Sequence, residues 1–184
     1  ARELPLSMIL ANTLSVAMIA RFNTTNMGSP LAELRSEVYR LGNMLFPLTI
    51  GLLLTSHLLF PLVFSSSFKQ SATIFNIYLL IIISRLVMPQ TILNGKGLNH
   101  LLVKASGYEI AVNVVASVIL ARFFGIVGVA YGTIIACFFE KGYLAFHLKK
   151  KLNISIDQYV PTRQLLTYSG AVAVVFIVVE FILY

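Results

Sequence analysis

The sequence has few charged residues and almost no cysteine. Of its 184 residues, 11% are charged, one is a cysteine (Cys137), and none is a tryptophan. A single cysteine excludes a disulfide framework within the chain, and no cluster of cysteine and histidine has the spacing of metal ligands. We therefore expect no metal and no cofactor. Soluble domains carry about 25% charged residues, so a composition this poor in charge argues against an ordinary globular domain.

Apolar residues replace the missing charge. They make up 58% of the chain, and the mean hydropathy is +0.85, which is typical of a membrane protein. The net charge of +7 does not indicate nucleic acid, because the basic residues are scattered in the gaps between apolar blocks. Charge in that position is a signal of membrane topology. We expect membrane lipids as partners and no nucleic acid.

Six apolar segments meet or approach the length of about 20 residues that a helix needs to cross a bilayer. They are A (4–20), B (41–64), C (73–94), D (102–122), E (125–147) and F (164–184). Long runs of Leu, Ile, Val and Ala favour helices over membrane β-strands, which alternate strictly. The sequence predicts an all-α polytopic bundle of about six transmembrane helices, of which A is short.

The connections between these segments differ in character. Between A and B, Ser29 and Pro30 mark a helix start that is followed by apolar residues at helical spacing. This pattern predicts a short amphipathic helix on the membrane surface, with an apolar face of Leu31, Leu34, Val38 and Leu41. "KKKLNISIDQYVPTRQ" between E and F is predicted to be a polar linker, and Gly125 is predicted to make a tight turn between D and E.

Lysine and arginine are distributed unevenly between the two ends of these segments. On the side of the membrane opposite the A–B, C–D and E–F connections, the sequence has only three basic residues, Arg2, Lys69 and Arg122. The three connections and their flanks hold ten, namely Arg21, Arg35, Arg40, Lys96, Lys104, Lys141, Lys149, Lys150, Lys151 and Arg163. Cytoplasmic loops are enriched in basic residues, so these connections are predicted to face the cytoplasm. Helix A then runs from outside to inside.

Several motifs occur in a characteristic order. "LFPLTIGLLLTSHLLFPLVFSSSFKQSATIFNIYLL" is followed by "NGKGLNHLL" and then by "YEIAVNVVASVILARFFGIVGVAYGTIIACFFEKGYL". This order resembles the C-terminal half of polysaccharide and oligosaccharide flippases of the multidrug/oligosaccharidyl-lipid/polysaccharide exporter superfamily. The residues that carry the likeness are Pro47, Phe68, Ser71, Ala72, Glu109, Asn113 and the block from Gly125 to Thr133. Serines 65–67 stand where the family commonly has a glycine.

The resemblance implies a two-bundle transporter in the cytoplasmic membrane, of which residues 1–184 form most of the C-terminal bundle. The N-terminal half-bundle would then be a partner outside this chain. Such a transporter moves a lipid-linked oligosaccharide or polysaccharide precursor across the membrane by alternating access. It breaks no covalent bond, so no enzymatic activity is expected. The cargo's polar headgroup needs a polar passage through the hydrocarbon.

Arg85 lies near the centre of segment C and is the first candidate for lining that passage. Its planar guanidinium suits a phosphate, which it can bind through two parallel hydrogen bonds. Pro89, four residues later, removes the backbone hydrogen bond to the Arg85 carbonyl and predicts a kink there. A structural ion pair with Glu109 or Glu140 is the alternative role for the arginine.

A polar stripe on helix D supplies further candidates. Glu109, Asn113 and Ser117 are spaced four residues apart and share one helix face. Protonation of Glu109 would couple transport to a proton gradient, whereas a helix–helix hydrogen bond is the structural alternative, which we favour for Glu109 and Asn113. Asn12 and Asn76 are likewise expected to bond between helices.

Helix E contributes Glu140, which completes the candidate substrate-binding set of Arg85, Glu109, Asn113 and Glu140. Glu140 and Lys141 are adjacent, so we expect them to point to different faces and not to pair. Lys141 is expected to extend to the interface and Glu140 to need another partner, such as Arg85. Packing is expected for Gly125, Gly128 and Gly132. His57 and Glu180 lie nearer the outer side, and we assign them no role beyond lining the exit of the passage.

Three other functions stay open. A multidrug cation antiporter of the same superfamily would need an acidic cavity, and the intramembrane glutamates permit one. A membrane-embedded glycosyl or phosphoglycosyl transferase would need an acidic metal–nucleotide motif and longer loops than this chain has. A non-transporting scaffold subunit would predict no charge at the bilayer centre, and Arg85 argues against it.

The predicted topology can be tested with single cysteines introduced into a chain that lacks Cys137. Cysteines at Ser36 and Ser155 should be protected from a membrane-impermeant thiol reagent in intact cells, and a cysteine at Ser66 should react. The reverse pattern of labelling would contradict both the orientation and the resemblance.

Overall fold

The computed structural model describes residues 5–22, 27–63 and 69–183, and no β-strand occurs among them. Nine α-helices follow one another and end in a π-helical turn. They are α1 (Pro5–Phe22), α2 (Gly28–Val63), α3 (Lys69–Leu79), α4 (Ile81–Arg85), α5 (Pro89–Gly95), α6 (Asn99–Phe124), α7 (Ile126–Leu152), α8 (Ile156–Tyr159), α9 (Thr162–Ile177) and the π-helical turn Val178–Leu183. The predicted limits at residues 4, 64 and 184, like Phe68 and serines 65–67, lie outside the described residues.

The all-α membrane fold is confirmed. Four helices are long and apolar enough to cross a bilayer: α2, α6, α7 and the segment Thr162–Phe181 that begins with α9. A fifth span results if α3–α4 and α5 are counted as one bent span. Helix α1 is apolar but, with 18 residues, rises only about 27 Å. This length is slightly below the hydrocarbon thickness of about 30 Å, which agrees with the prediction that segment A is short.

Segment B and the helix before it form one continuous helix, α2. The prediction of a separate surface helix is therefore wrong, although Pro30 does lie in the first turn, as expected. Leu31, Leu34 and Val38 are buried, and this part of α2 packs against α8 and α9 instead of against lipid headgroups. The 36 residues of α2 rise about 54 Å, so one end extends beyond the hydrocarbon. The helix continues through Gly42, a poor helix former, because burial of the apolar face against α8 and α9 outweighs that preference.

Segment C is broken at the predicted place. Helix α4 ends at Arg85, α5 begins at Pro89, and the two parts of the span are bent by 45°. Ser15 of α1 and Thr91 of α5 share a hydrogen bond of 2.7 Å between their hydroxyl oxygens. A Cβ on Gly95 would lie 2.5 Å from the Cβ of Phe22, so α1 and the end of α5 approach closely. Helix α1 therefore covers the second half of the broken span.

The linker between E and F is more ordered than its polar sequence predicts. It contains the short helix α8, and Ile154, Tyr159 and Val160 are fully or almost fully buried in the core. Burial raises the pKa of the Tyr159 phenol, because the charged form loses water. These three side chains lie against the first half of α2 and supply the cover that its apolar face requires.

Helices α6 and α7 form a tight hairpin around Gly125. This glycine has a φ of 58°, in the left-handed region that side chains disfavour. A Cβ on Gly128 would overlap the backbone carbonyl of Leu120, and one on Gly132 would overlap Ser117. The packing role predicted for Gly128 and Gly132 is confirmed, whereas Gly125 serves the turn. Most side chains of α6 are exposed, as expected for a helix that faces hydrocarbon or a further helix layer.

Close packing of the hairpin predicts an unequal response to two glycine substitutions in α7. Gly128→Ala should lower the free energy of unfolding by about 1–3 kcal/mol, because the neighbouring atoms are backbone and cannot move aside easily. Gly142→Ala is the matched control, since its Cβ would meet no atom within 4 Å. Thermal unfolding of the purified protein in detergent measures both. Equal stability of the two variants would contradict the close approach.

Candidate functional site

Arg85 lies at the end of α4, where span C breaks. Its side chain is half-buried, and α4 packs against α7 and α1. Residues 86–88 connect α4 to α5 outside regular helix, and Leu86 and Met88 in this connection are buried. Irregular backbone at membrane depth occurs where protein covers it or where it lines a cavity. The break therefore places the guanidinium beside neighbouring helices and not against lipid alone.

The polar stripe of α6 faces α7. The Cys137 thiol donates to Oε1 of Glu109 across 3.7 Å, and the Ser117 hydroxyl is 3.4 Å from the Val129 carbonyl oxygen. Asn113 Oδ1 lies 3.2 Å from the Ser117 hydroxyl on its own helix. The predicted contact between helices is confirmed for Glu109. Asn113 instead bonds within the stripe.

Glu140 and Lys141 form an ion pair, so the prediction that they point apart is wrong. Lys141 Nζ lies 2.9 Å from Glu140 Oε2, and the side chains are only 14% and 17% exposed. The same ammonium donates to Oε1 of Gln90 on α5 at 3.3 Å. Extension of Lys141 to the interface is also wrong. The lysine side chain is flexible enough to reach the Glu140 carboxylate and the Gln90 amide. These two groups replace the water that would otherwise solvate the ammonium at the interface.

Three of the four predicted site residues lie in one cluster. Arg85, Glu140 and Lys141 are all close enough to Glu109 to act on its charge. Asn113 lies one turn farther along α6. Glu109 is ten residues from the start of the 26-residue α6, a rise of about 15 Å, which places the cluster near the middle of that helix.

The central cluster, which comprises Arg85, Glu109, Glu140, Lys141 and Gln90, holds two positive and two negative formal charges. Its members come from α4, α5, α6 and α7. Charged side chains at the bilayer centre are costly and mark pathways for polar substrates, ions or protons in membrane proteins. Within the described residues, no group of three His, Cys, Asp or Glu side chains is placed to hold a metal ion.

A second buried cluster is centred on Glu180, for which the sequence indicates no role beyond lining the exit of the passage. Oε1 of Glu180 lies 2.8 Å from His57 Nε2 and accepts a hydrogen bond of 2.6 Å from Asn76 Nδ2. The His57 and Glu180 side chains are 9% and 7% exposed. This outer cluster joins α2, α3 and the π-helical turn. The bond between Asn76 and Glu180 confirms the interhelical hydrogen bond expected for Asn76. The side chain of Asn12 is exposed, and the bond expected for it stays a prediction.

The outer cluster leaves only a weak signal in the sequence. His57, Asn76 and Glu180 are isolated polar residues in three apolar segments, separated by up to 123 positions. The wider π-helical turn that carries Glu180 also interrupts the helical period on which a face prediction relies. Polar residues at similar depth in three spans were the only hint that they meet.

Comparison of the chain with models of protein families, with curated proteins and with solved structures finds no match. The likeness to polysaccharide flippases therefore rests on the sequence motifs alone.

The outer cluster predicts a large cost for removing its acceptor. Glu180→Leu should lower the free energy of unfolding by about 1–3 kcal/mol, because His57 and Asn76 would lose a buried hydrogen-bond partner. Glu33→Leu is the control, since it breaks only the exposed ion pair with Arg21, and exposed pairs contribute little. Thermal unfolding in detergent compares them. A Glu180→Leu protein as stable as the control variant would contradict a stabilising role.

Proposed function

We propose that this chain is part of a transporter that moves a lipid-linked oligosaccharide or polysaccharide precursor across the cytoplasmic membrane by alternating access. The observation that carries the proposal is the central cluster, in which charged side chains of α4 and α7 lie within electrostatic range of Glu109 on α6, beside a broken span. The glycan part of the proposal comes from the sequence motifs between Pro47 and Thr133.

The broken span supports transport over a purely structural membrane role. An uninterrupted helix satisfies its own backbone, so an interruption near Arg85 costs hydrogen bonds that a scaffold has no need to lose. Transporters place such interruptions at the substrate site near the bilayer midplane and move one group of helices against another around it. The α6–α7 hairpin meets α3, α4 and α5 beside the central cluster, which makes this boundary a suitable place for such movement.

An anionic cargo is favoured by the chemistry of Arg85. The arginine fork can grip two phosphate oxygens at once, which an ammonium cannot do. We propose that the pyrophosphate or acidic sugars of the cargo meet Arg85, and that Glu109 limits how tightly the cargo is held.

Substitution of Arg85 tests the proposal. Arg85→Ala should lower transport by tenfold or more, because a hydrogen bond to a charged group contributes about 1.5–3 kcal/mol. Arg85→Lys should retain part of the transport activity. Arg122→Ala, which removes an exposed arginine at the far end of α6, is the matched control. The measurement is cell-surface glycan in a strain that lacks the native transporter, with the full-length variant's membrane level determined in parallel.

Two outcomes would contradict the cargo role. Full transport by a normally expressed Arg85→Ala protein would exclude it. Loss of the Arg85→Ala protein from the membrane, rescued by a second substitution of Glu109→Gln or Glu140→Gln, would identify Arg85 as a structural ion-pair partner.

A further inference from the structure

A cleft of about 960 Å³ lies between the first half of α2 and the α8–α9 region. It is separate from the central and outer clusters, with which it shares no residue. One wall comes from the first three turns of α2, and the other from the start of α9 and the residues before it. A cavity of this volume falls in the range of small-molecule sites, which is roughly 300–1,000 Å³.

The floor of the cleft is a fixed polar network. Gln164 Nε2 donates to Asn43 Oδ1 at 2.7 Å and lies 3.2 Å from the Tyr39 carbonyl oxygen. The Tyr168 hydroxyl donates to the same Asn43 oxygen at 3.0 Å, and its ring packs against Phe46 with centroids 5.0 Å apart. These contacts join α2 to α9, so the two walls keep their separation.

The lining of the cleft carries a net positive charge. Arg35 on α2 and Arg163 on α9 both line it, and both side chains are exposed. Among the described residues that line the cleft, none is Asp or Glu. The nearby Glu33 is occupied by its ion pair with Arg21. Two guanidinium groups on opposite walls, with no carboxylate between them, favour an anion that reaches both.

The cleft begins at the edge of the hydrocarbon and extends outward from it. The segment Thr162–Phe181 has 20 residues and rises about 30 Å, so it is just long enough to cross the hydrocarbon. Its first turn, with Arg163 and Gln164, must then lie at the interface, level with Asn43 of α2. Arg35 is eight residues before Asn43, about 12 Å farther out along α2. The predicted topology assigns this side to the cytoplasm.

We propose that this cleft binds the phosphodiester headgroup of an anionic phospholipid of the cytoplasmic leaflet. Basic pockets between membrane helices on that side are suited to such headgroups. Arg35 and Arg163 would hold the phosphate, and Tyr39 and Tyr168 would lie beside the glycerol portion, as aromatic side chains do at membrane interfaces. The volume exceeds what a free phosphate ion needs, which favours a headgroup over a soluble anion. This site does not depend on the cargo role of Arg85.

Lipid binding to the purified full chain, delipidated in neutral detergent, tests the proposal. Native mass spectrometry would follow titration with phosphatidylglycerol and, separately, with phosphatidylcholine. We expect phosphatidylglycerol to bind preferentially, and the double variant R35Q/R163Q to bind it at least tenfold more weakly. R40Q is the matched control, because Arg40 is exposed on the same helix but does not line the cleft.

A variant that keeps both charges tests the cleft itself. Ala32→Trp fills part of the cleft from α2 and should also weaken phosphatidylglycerol binding, although the net charge is unchanged. Circular dichroism and elution volume verify that each variant is folded. Equal losses in R40Q and R35Q/R163Q would overturn the proposal in favour of unspecific surface charge. Normal binding by Ala32→Trp, or full displacement of the lipid by millimolar inorganic phosphate, would also overturn it.

Discussion

Hydrocarbon offers no hydrogen-bond partner, and this constraint governs how the spans depart from regular helix. The interruption between Arg85 and Pro89 is covered by α1 on one side and approached by α7 on the other. Charged groups in the interior likewise find partners in the protein, as in the contacts of Lys141 with Glu140 and Gln90. Irregular backbone and charged side chains are both tolerated inside the membrane only because neighbouring helices provide the hydrogen-bond partners that water would otherwise provide.

Two kinds of helix contact divide the bundle. Polar contacts join α2 to both ends of the last span, from Asn43 to Gln164 of α9 and from His57 to Glu180 of the π-helical turn. Helices α6 and α7 meet instead through glycines, which permit close approach over a long surface. The central cluster lies where the α6–α7 hairpin meets the broken span. A movement of the hairpin would therefore change the central cluster first and leave the α2–α9 contacts intact.

Polar groups occur at three depths. The cleft lies at the predicted cytoplasmic interface, the central cluster lies near the middle of α6, and the outer cluster around Glu180 lies towards the other end of α2 and α9. The central cluster is beside the 45° break between α4 and α5, which is why the proposed transport role is assigned to it. The cleft is open and positively charged, which favours a lipid headgroup. The outer cluster is almost fully buried, and its hydrogen bonds join three elements.

The composition and the lengths of the apolar segments alone determined that this is an all-α membrane protein, because a segment of about 20 apolar residues is stable in few forms other than a transmembrane helix. The proline rule likewise located the break at Arg85–Pro89, and the glycine turn located the α6–α7 hairpin. Tertiary structure decided the pairing of polar groups. Adjacent residues such as Glu140 and Lys141 can pair through flexible side chains, which helical spacing does not reveal. His57 and Glu180, 123 positions apart, meet only because α2 packs against the last helix. The continuity of α2 also depended on burial, since α8 and its flanks cover an apolar face that otherwise suits a membrane surface.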